Sequence, residues 1–533
     1  MKIHYLILPV ICSVLFSGFY AGCGHGVLVR KLEYNAVTDN YRTYYEIFVG
    51  AFSDSNNDGI GDLRGLINRL DYLNDGNPDS LNSLGIEGIW LMPVMPSPSY
   101  HKYDVTDYCR IDRQYGTMDD FDELIGECDK RGIKLIIDLV LNHTSSQHPW
   151  FLKAREAVKT GDMDDTYARY YVLETEKISG KAWYEFEKTP DGIQYYYEGN
   201  FSPSMPELDL DNPDVLREIS DIVKFWLDKG VGGFRLDAVK FYYLDEDIKN
   251  IIFLKWLNEE CRKNYDEVYI VAENWSGDIS IQNYYEAVNC FDFGMSGTSG
   301  DIYFAAQQIA GITEFAEDLA FYQKQVLEKN PRAVLNPFIS NHDMDRAAGF
   351  LSVDDRAMQM AANLYILSSG SPFIYYGEEI GMKGSRGTAS TDANRRLAML
   401  WGDGDTVKDP RGSTYNSNNQ TNGTVKSQSP DRDSLLNHYK NLIRLRNANP
   451  EIARGIIEPL NFSQYTSFGG FISNYSGSKA AVFHNTGETE LKVDLSLYTD
   501  INFSVIRGYA GKGQAALNGG ILSISGYTSA VIK

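Results

Sequence analysis

The chain has 533 residues, 43% of them hydrophobic and 13% aromatic, which is more than one compact core holds, so two or three domains are expected. Its 50 basic and 72 acidic residues leave a formal net charge of −22. That balance argues against the basic patches that nucleic acid or an anionic membrane surface requires, and it suits a neutral substrate.

Residues 1–23 read as an export segment: Lys2, an apolar run over 5–16, then small residues before Cys23. Tyr20-Ala21-Gly22-Cys23 resembles a bacterial lipobox, with Tyr20 where Leu is usual. A secreted or surface-anchored protein with a lipid on Cys23 is expected; ordinary secretion and an uncleaved single-span anchor are the alternatives. Cys109, Cys128, Cys261 and Cys290 fit no metal spacing and are expected to be free buried thiols.

From residue 44, strand-like runs alternate with amphipathic helical ones. Strands are predicted at 44–49, 86–92, 133–141, 231–237, 268–273, 291–295, 334–340 and 372–376. Several are almost continuously apolar, as parallel strands covered on both faces are. Helices are predicted between them, at 63–74, 119–131 and 213–229 among others. Eight such units point to a (β/α)8 TIM barrel, in two parts at 24–143 and 211–450. Residues 144–210, rich in Tyr and Trp and lacking helical periodicity, read as a small inserted domain after strand three. Residues 402–430 read as a surface loop and 431–448 as a helix. Short strands with turn signals over 451–533 predict a C-terminal antiparallel β-sandwich.

Three of the strand-like runs end in a carboxylate: Asp237, Glu273 and Asp343. A carboxylate at the tip of a buried strand needs partners, and three of them at strand tips suggest one shared site. Arg235 precedes Asp237 by two residues, where a guanidinium would keep a nucleophilic carboxylate ionised. Glu273 follows four apolar residues, and burial favours the protonated form that a general acid needs. Asn341-His342 places an imidazole directly beside Asp343.

With these neighbours, the chain resembles the α-amylase family of retaining glycoside hydrolases. The motifs are Asp-Leu-Val-Leu-Asn-His (138–143), Gly-Phe-Arg-Leu-Asp-Ala-Val-Lys (233–240), Val-Ala-Glu-Asn-Trp (271–275) and Ile-Ser-Asn-His-Asp (339–343), with supporting runs at 85–93, 205–209 and 370–379. The resemblance implies Asp237 as nucleophile, Glu273 as acid/base and Asp343 as a ligand of sugar hydroxyls. It implies His143, His342 and Arg235 around the reacting glucose, Tyr103 as a stacking ring with Asp104 beside it, Asp392 and Arg396 on the same sugar, and Lys240 on the sugars beyond the cleavage point.

Asp-Ser-Asn-Asn-Asp-Gly-Ile-Gly-Asp (54–62) sets oxygen donors at alternate positions around a Gly, as a calcium loop does. Asp54, Asn56, Asp58, the Ile60 carbonyl and Asp62 are the expected ligands of one structural Ca²⁺. A second calcium at Asn142 is doubtful, because the His that usually helps hold it is not evident after Lys240. The expected activity is endo-hydrolysis of α-1,4-glucosidic bonds in starch-like glucans or maltooligosaccharides by a monomer, without nucleic acid. Ala238 after the nucleophile favours that reading, and so does export. The alternatives are an oligosaccharide-specific α-glucosidase, an oligo-1,6-glucosidase or a transglycosylase of the same family. More distant is a non-catalytic, membrane-anchored relative, which the retained carboxylates disfavour.

Overall fold

The computed structural model describes residues 39–351, 355–389 and 391–533. The expected export segment and Cys23 lie outside them. In chain order the first strands are β1 (Tyr44–Ile47), β2 (Gly88–Leu91) and β3 (Lys134–Leu139). The inserted region adds β4 (Leu173–Glu174), β5 (Trp183–Lys188) and β6 (Gln194–Glu198). The barrel resumes with β7 (Gly233–Leu236), β8 (Tyr269–Ala272), β9 (Asn289–Cys290) and β10 (Phe373–Tyr375). Seven of these strands form one parallel sheet in the order β10-β1-β2-β3-β7-β8-β9. They are buried on both faces, which is why their sequences read as continuous apolar runs.

The strand predicted at 334–340 is not a regular strand. Pro337 lacks an amide hydrogen and interrupts the ladder. The segment still spans the gap between β9 and β10. Asp292 N–H donates to the Asn336 carbonyl (3.1 Å), and Phe373 N–H donates to the Pro337 carbonyl (3.0 Å). These bonds close the eightfold barrel. The strand predicted at 291–295 is shorter and earlier, at Asn289–Cys290, and the chain turns into a 3-10 helix at Phe293–Met295. The helix predicted at 63–74 is two helices, Leu63–Asn68 and Leu70–Leu73, broken at Arg69.

The inserted region holds the antiparallel sheet β4-β6-β5 and also a helix, Pro149–Thr160, which the sequence reading missed. Its signals were present. His148 accepts from Trp150 N–H as the cap, Pro149 opens the first turn, and Gly161 closes it in the left-handed conformation. Phe151, Ala154, Ala157 and Val158 form its buried stripe.

After the barrel come β11 (Ile456–Leu460), β12 (Phe468–Tyr475), β13 (Ser478–Asn485), β14 (Leu491–Asp494), β15 (Ile506–Gly511), β16 (Ala515–Asn518), β17 (Ile521–Ile524) and β18 (Thr528–Ile532). They form two antiparallel sheets, β11-β12-β13-β18-β15 and β14-β17-β16, around an apolar core containing Phe462, Phe468, Phe483 and Leu522. This is the expected sandwich. Cys128, Cys261 and Cys290 are free and buried; Cys109 is free and half-buried.

Candidate active site

The strand tips converge on one cleft of about 610 Å³, lined by Tyr103, His143, Asp237, Lys240, Glu273, Asp343, Asp392 and Arg396 among others. It lies at the C-terminal ends of the barrel strands, where barrel enzymes place their chemistry. Gly233 lets β7 and β8 approach: a Cβ there would stand 1.8 Å from the Tyr269 carbonyl oxygen. That contact sets the two strands in register and brings Asp237 and Glu273 to adjacent tips.

Arg235 is the hub. Only 1% of its side chain is exposed, and its guanidinium spans three carboxylates. Nη1 donates to Asp237 Oδ1 at 2.6 Å and to Asp138 Oδ1 at 2.9 Å, while Nη2 lies 2.9 Å from Glu273 Oε2. The sequence reading gave Arg235 to Asp237 alone. In the structure it also pairs with Glu273, so it does not by itself separate the roles of the two. Burial pushes the Glu273 carboxyl up, against the opposing pull of Arg235, and the Asp237 charge adds to the rise. Ala238, next to Asp237, has a left-handed backbone (φ 49°), and its N–H donates to Glu273 Oε2 at 3.0 Å. A non-glycine residue in that region is held there by its surroundings, as residues at functional sites often are.

Asp343 is gripped from two sides. His342 Nε2 lies 2.8 Å from Asp343 Oδ2, and Arg396 Nη2 lies 2.6 Å from Oδ1. Burial alone would raise its pKa, but His342 and Arg396 hold the carboxyl well below the usual range. His342 is opposed by burial in turn, yet Asp343 and Glu46 raise it to about 9. Tyr103 Oη is 2.7 Å from His342 Nε2, and the two rings stack at 5.7 Å.

His143 is buried, burial depresses its pKa, and its Nε2 has no hydrogen-bond partner among the described residues. A donor or acceptor left bare in a cleft wall is available to a ligand hydroxyl. Lys240 Nζ donates to the Trp275 carbonyl (2.7 Å). Asp392 meets Arg395 Nη1 at 2.9 Å and Arg396 Nη2 at 3.8 Å. Asp104 is buried behind the wall, where its carboxylate accepts from the Ser97 and Ser99 hydroxyls.

Two positioning residues were not singled out from the sequence. Asp138 lies inside a quoted motif, fully buried against Arg235, and burial lifts its pKa to about 7. Glu46, on β1, accepts from His342 Nδ1 at 2.5 Å. Phe201 and Trp275 were also overlooked. They stand 43% and 44% exposed at the mouth of the cleft, and Phe201 packs on Phe241 at 4.7 Å.

The 54–62 loop lies apart from this cleft. Asp54 accepts from the Asn56, Asn57 and Gly59 amides at 2.8–3.0 Å and from the Thr406 hydroxyl at 2.7 Å. Asn56 and Asp58 accept from the Asp58 and Ile60 amides, and Asp62 caps the following helix through Gly65 N–H. Gly59 takes the sharp turn with φ 93°. The all-oxygen donor set is chemically suited to Ca²⁺. In the structure these side chains point at the loop's own amides, and among the described residues no three His, Cys, Asp or Glu side chains group closely enough to hold a metal.

The catalytic-domain model of α-amylases matches residues 46–455. The chain belongs to the α-amylase family. Alpha-amylase 3 of Dictyoglomus thermophilum is 36% identical over 501 residues, covering 92% of each chain. The solved structure of Eubacterium rectale Amy13B superposes with a TM-score of 0.85 at 36% identity, covering 94% of this chain and 97% of that one. An oligo-1,6-glucosidase of Bacillus cereus is 29% identical, covering 87% of this chain and 93% of its own. The chain is therefore an α-amylase-family glycoside hydrolase.

Proposed function

We propose that this enzyme hydrolyses internal α-1,4-glucosidic bonds of starch-like glucans with retained configuration. The observation that carries the reading is the cleft itself. Its lining runs from the Asp237–Glu273 pair to Lys240 and Phe241 and includes the exposed Phe201 and Trp275 rings. An aromatic ring in such a place can stack on a sugar's apolar face, so the substrate can continue beyond the reacting glucose.

In this mechanism Asp237 attacks the anomeric carbon while the neutral Glu273 protonates the departing glycosidic oxygen. The sugar is then held covalently on Asp237. Glu273, now ionised, takes a proton from water, which attacks the same carbon and releases the sugar with its original configuration. One guanidinium bridges the nearest oxygens of the two carboxyls. That suits the close retaining spacing of roughly 5–5.5 Å better than the wider inverting one. Asp343, ionised between His342 and Arg396, accepts from sugar hydroxyls, and His143 Nε2 takes another.

A second reading has a specific support: the similarity to the Bacillus cereus oligo-1,6-glucosidase. Soluble starch, pullulan and isomaltose digested in parallel separate the two. Early mixed maltooligosaccharides from starch support the proposal, and glucose released from isomaltose with starch untouched supports the alternative.

We further propose that Asp54, Asn56, Asp58, the Ile60 carbonyl and Asp62 hold one structural Ca²⁺. The supporting observation is Asp54: despite partial burial, the Thr406 hydroxyl and three loop amides keep its carboxyl below the usual range, so it is ionised with no cationic side chain bonded to it. The ion would brace the loop after β1 and takes no part in bond cleavage. Export to the cell surface completes the proposal, because a polymer cannot enter the cell.

A further inference from the structure

A second groove, of about 230 Å³, lies on the barrel flank between the helices Pro213–Asp228 and Asp247–Arg262. Lys249, Ile252, Phe253 and Trp256 line it at i, i+3, i+4 and i+7, one face of the second helix. Across from them stand Leu210, Asp211 and Tyr243. Ile252 is 62% exposed, so this apolar stripe is not covered by the fold. Trp256 packs at a tilt of 44° on buried Phe253, ring centres 5.4 Å apart, and its indole N–H has no acceptor among the described residues. Tyr243 Oη donates to Asp211 Oδ1 at 2.9 Å, and Lys249 Nζ sits 5.1 Å from the Tyr243 ring and 3.9 Å from Asp211 Oδ2.

The groove thus combines flat rings with a polar rim, where Lys249 Nζ lies 3.3 Å from Glu246 Oε2 and 3.9 Å from Asp211 Oδ2. A large neutral ligand with apolar faces and many hydroxyls matches it: the rings take the apolar faces, while Asp211, Lys249 and the free indole N–H take the hydroxyls. The volume is below that of an enclosed small-molecule pocket, usually about 300–1,000 Å³, and suits part of a chain that continues outside.

The groove also lies close to the cleft along the chain. Lys240 and Phe241 line the cleft, and Tyr243, two residues on, lines the groove. Two residues span at most about 7 Å. On the other wall, Met205 lines the cleft and Leu210 the groove. A polymer leaving the cleft past Lys240 meets the groove next.

We propose that this groove is a second α-glucan-binding site, which holds the chain beyond the Lys240 end of the cleft. The proposal rests on the polymer reading above. It predicts that the groove matters for long substrates and not for short ones.

The test uses affinity electrophoresis in amylopectin gels, in the inactive Glu273→Gln background so that the polymer survives. Adding Trp256→Ala is expected to weaken retardation at least threefold. Ile252→Arg, which charges the groove at an exposed position and removes no packing, is expected to do the same. In the active enzyme both changes should lower kcat/KM on amylose several-fold and leave the rate on a short maltotrioside unchanged. Retardation unchanged in both variants overturns the second site while leaving the polymer reading intact. No retardation of the Glu273→Gln parent contradicts both. A dimer in size-exclusion chromatography that Ile252→Arg splits, with retardation unaltered, assigns the face to a second copy of the chain and overturns the proposal.

Discussion

His342 Nε2 sits 2.8 Å from Asp343 Oδ2, and this contact ties the charge of a buried imidazole to that of a carboxylate facing the cleft. On its other side the ring bonds Glu46. The pair sets an alkaline limit. The His342 pKa is raised to about 9 in the fold, from an ordinary value near 6.5. A raised value means that the stabilisation is full below about pH 6.5 and is lost as pH climbs through about 9. Thermal stability should therefore fall over that window, and His342→Asn should flatten the fall. Melting curves at pH 6, 8 and 10 for both proteins check this; an equal loss in the variant contradicts it.

Arg235 holds Asp138, Asp237 and Glu273 at once in a water-free position. Removing one partner from a buried ion pair leaves uncompensated charge and typically costs about 3–5 kcal/mol. Arg235→Met should destabilise the fold by about that much in urea titration. Arg235→Lys should recover only part of it, because an ammonium is a point charge and cannot fork between the carboxylates.

Glu273→Gln removes a proton donor without changing shape. General acid–base catalysis contributes about 10²–10⁴-fold, so kcat on starch should drop by that range while the protein stays folded by circular dichroism. Asp237→Ala should abolish turnover and prevent covalent trapping by an activated fluoroglycoside. Retained hydrolysis in Asp237→Ala contradicts its assignment as nucleophile.

If the 54–62 loop binds calcium, chelation should lower Tm, and added calcium should restore it. A ligand at one hundred times its Kd stabilises by about 2.7 kcal/mol. Asp54→Ala should lower Tm in calcium buffer and remove the response to chelator. Metal analysis of the purified protein gives an independent readout, with one calcium per chain expected.

The barrel was readable because buried parallel strands are written as unbroken apolar runs, as in Lys134–Leu139 and Tyr269–Ala272. Where one strand depends on neighbours instead of its own pattern, the reading slipped: the 334–340 segment carries Pro337 and is held by amides of Asp292, Gly297, Ser371 and Phe373. The helix Pro149–Thr160 was overlooked because aromatic residues around it masked its four-residue stripe. Asp237, Glu273 and Asp343 stood out as strand-tip carboxylates. Asp138 and Glu46 did not, because each acts on a residue far away in sequence, Arg235 for one and His342 for the other. The shared grip of Arg235 on both Asp237 and Glu273 needs the β7–β8 register, which no local pattern encodes.

Product analysis over time tests the central claim most directly. Reduced amylose of defined length is digested by the wild-type enzyme, and the early products are resolved by size while proton NMR follows their anomeric form. The account predicts a spread of maltooligosaccharides from the first minutes, released as α-anomers. Glucose alone from the non-reducing end would contradict internal cleavage, and β-anomers would contradict the retaining roles of Asp237 and Glu273.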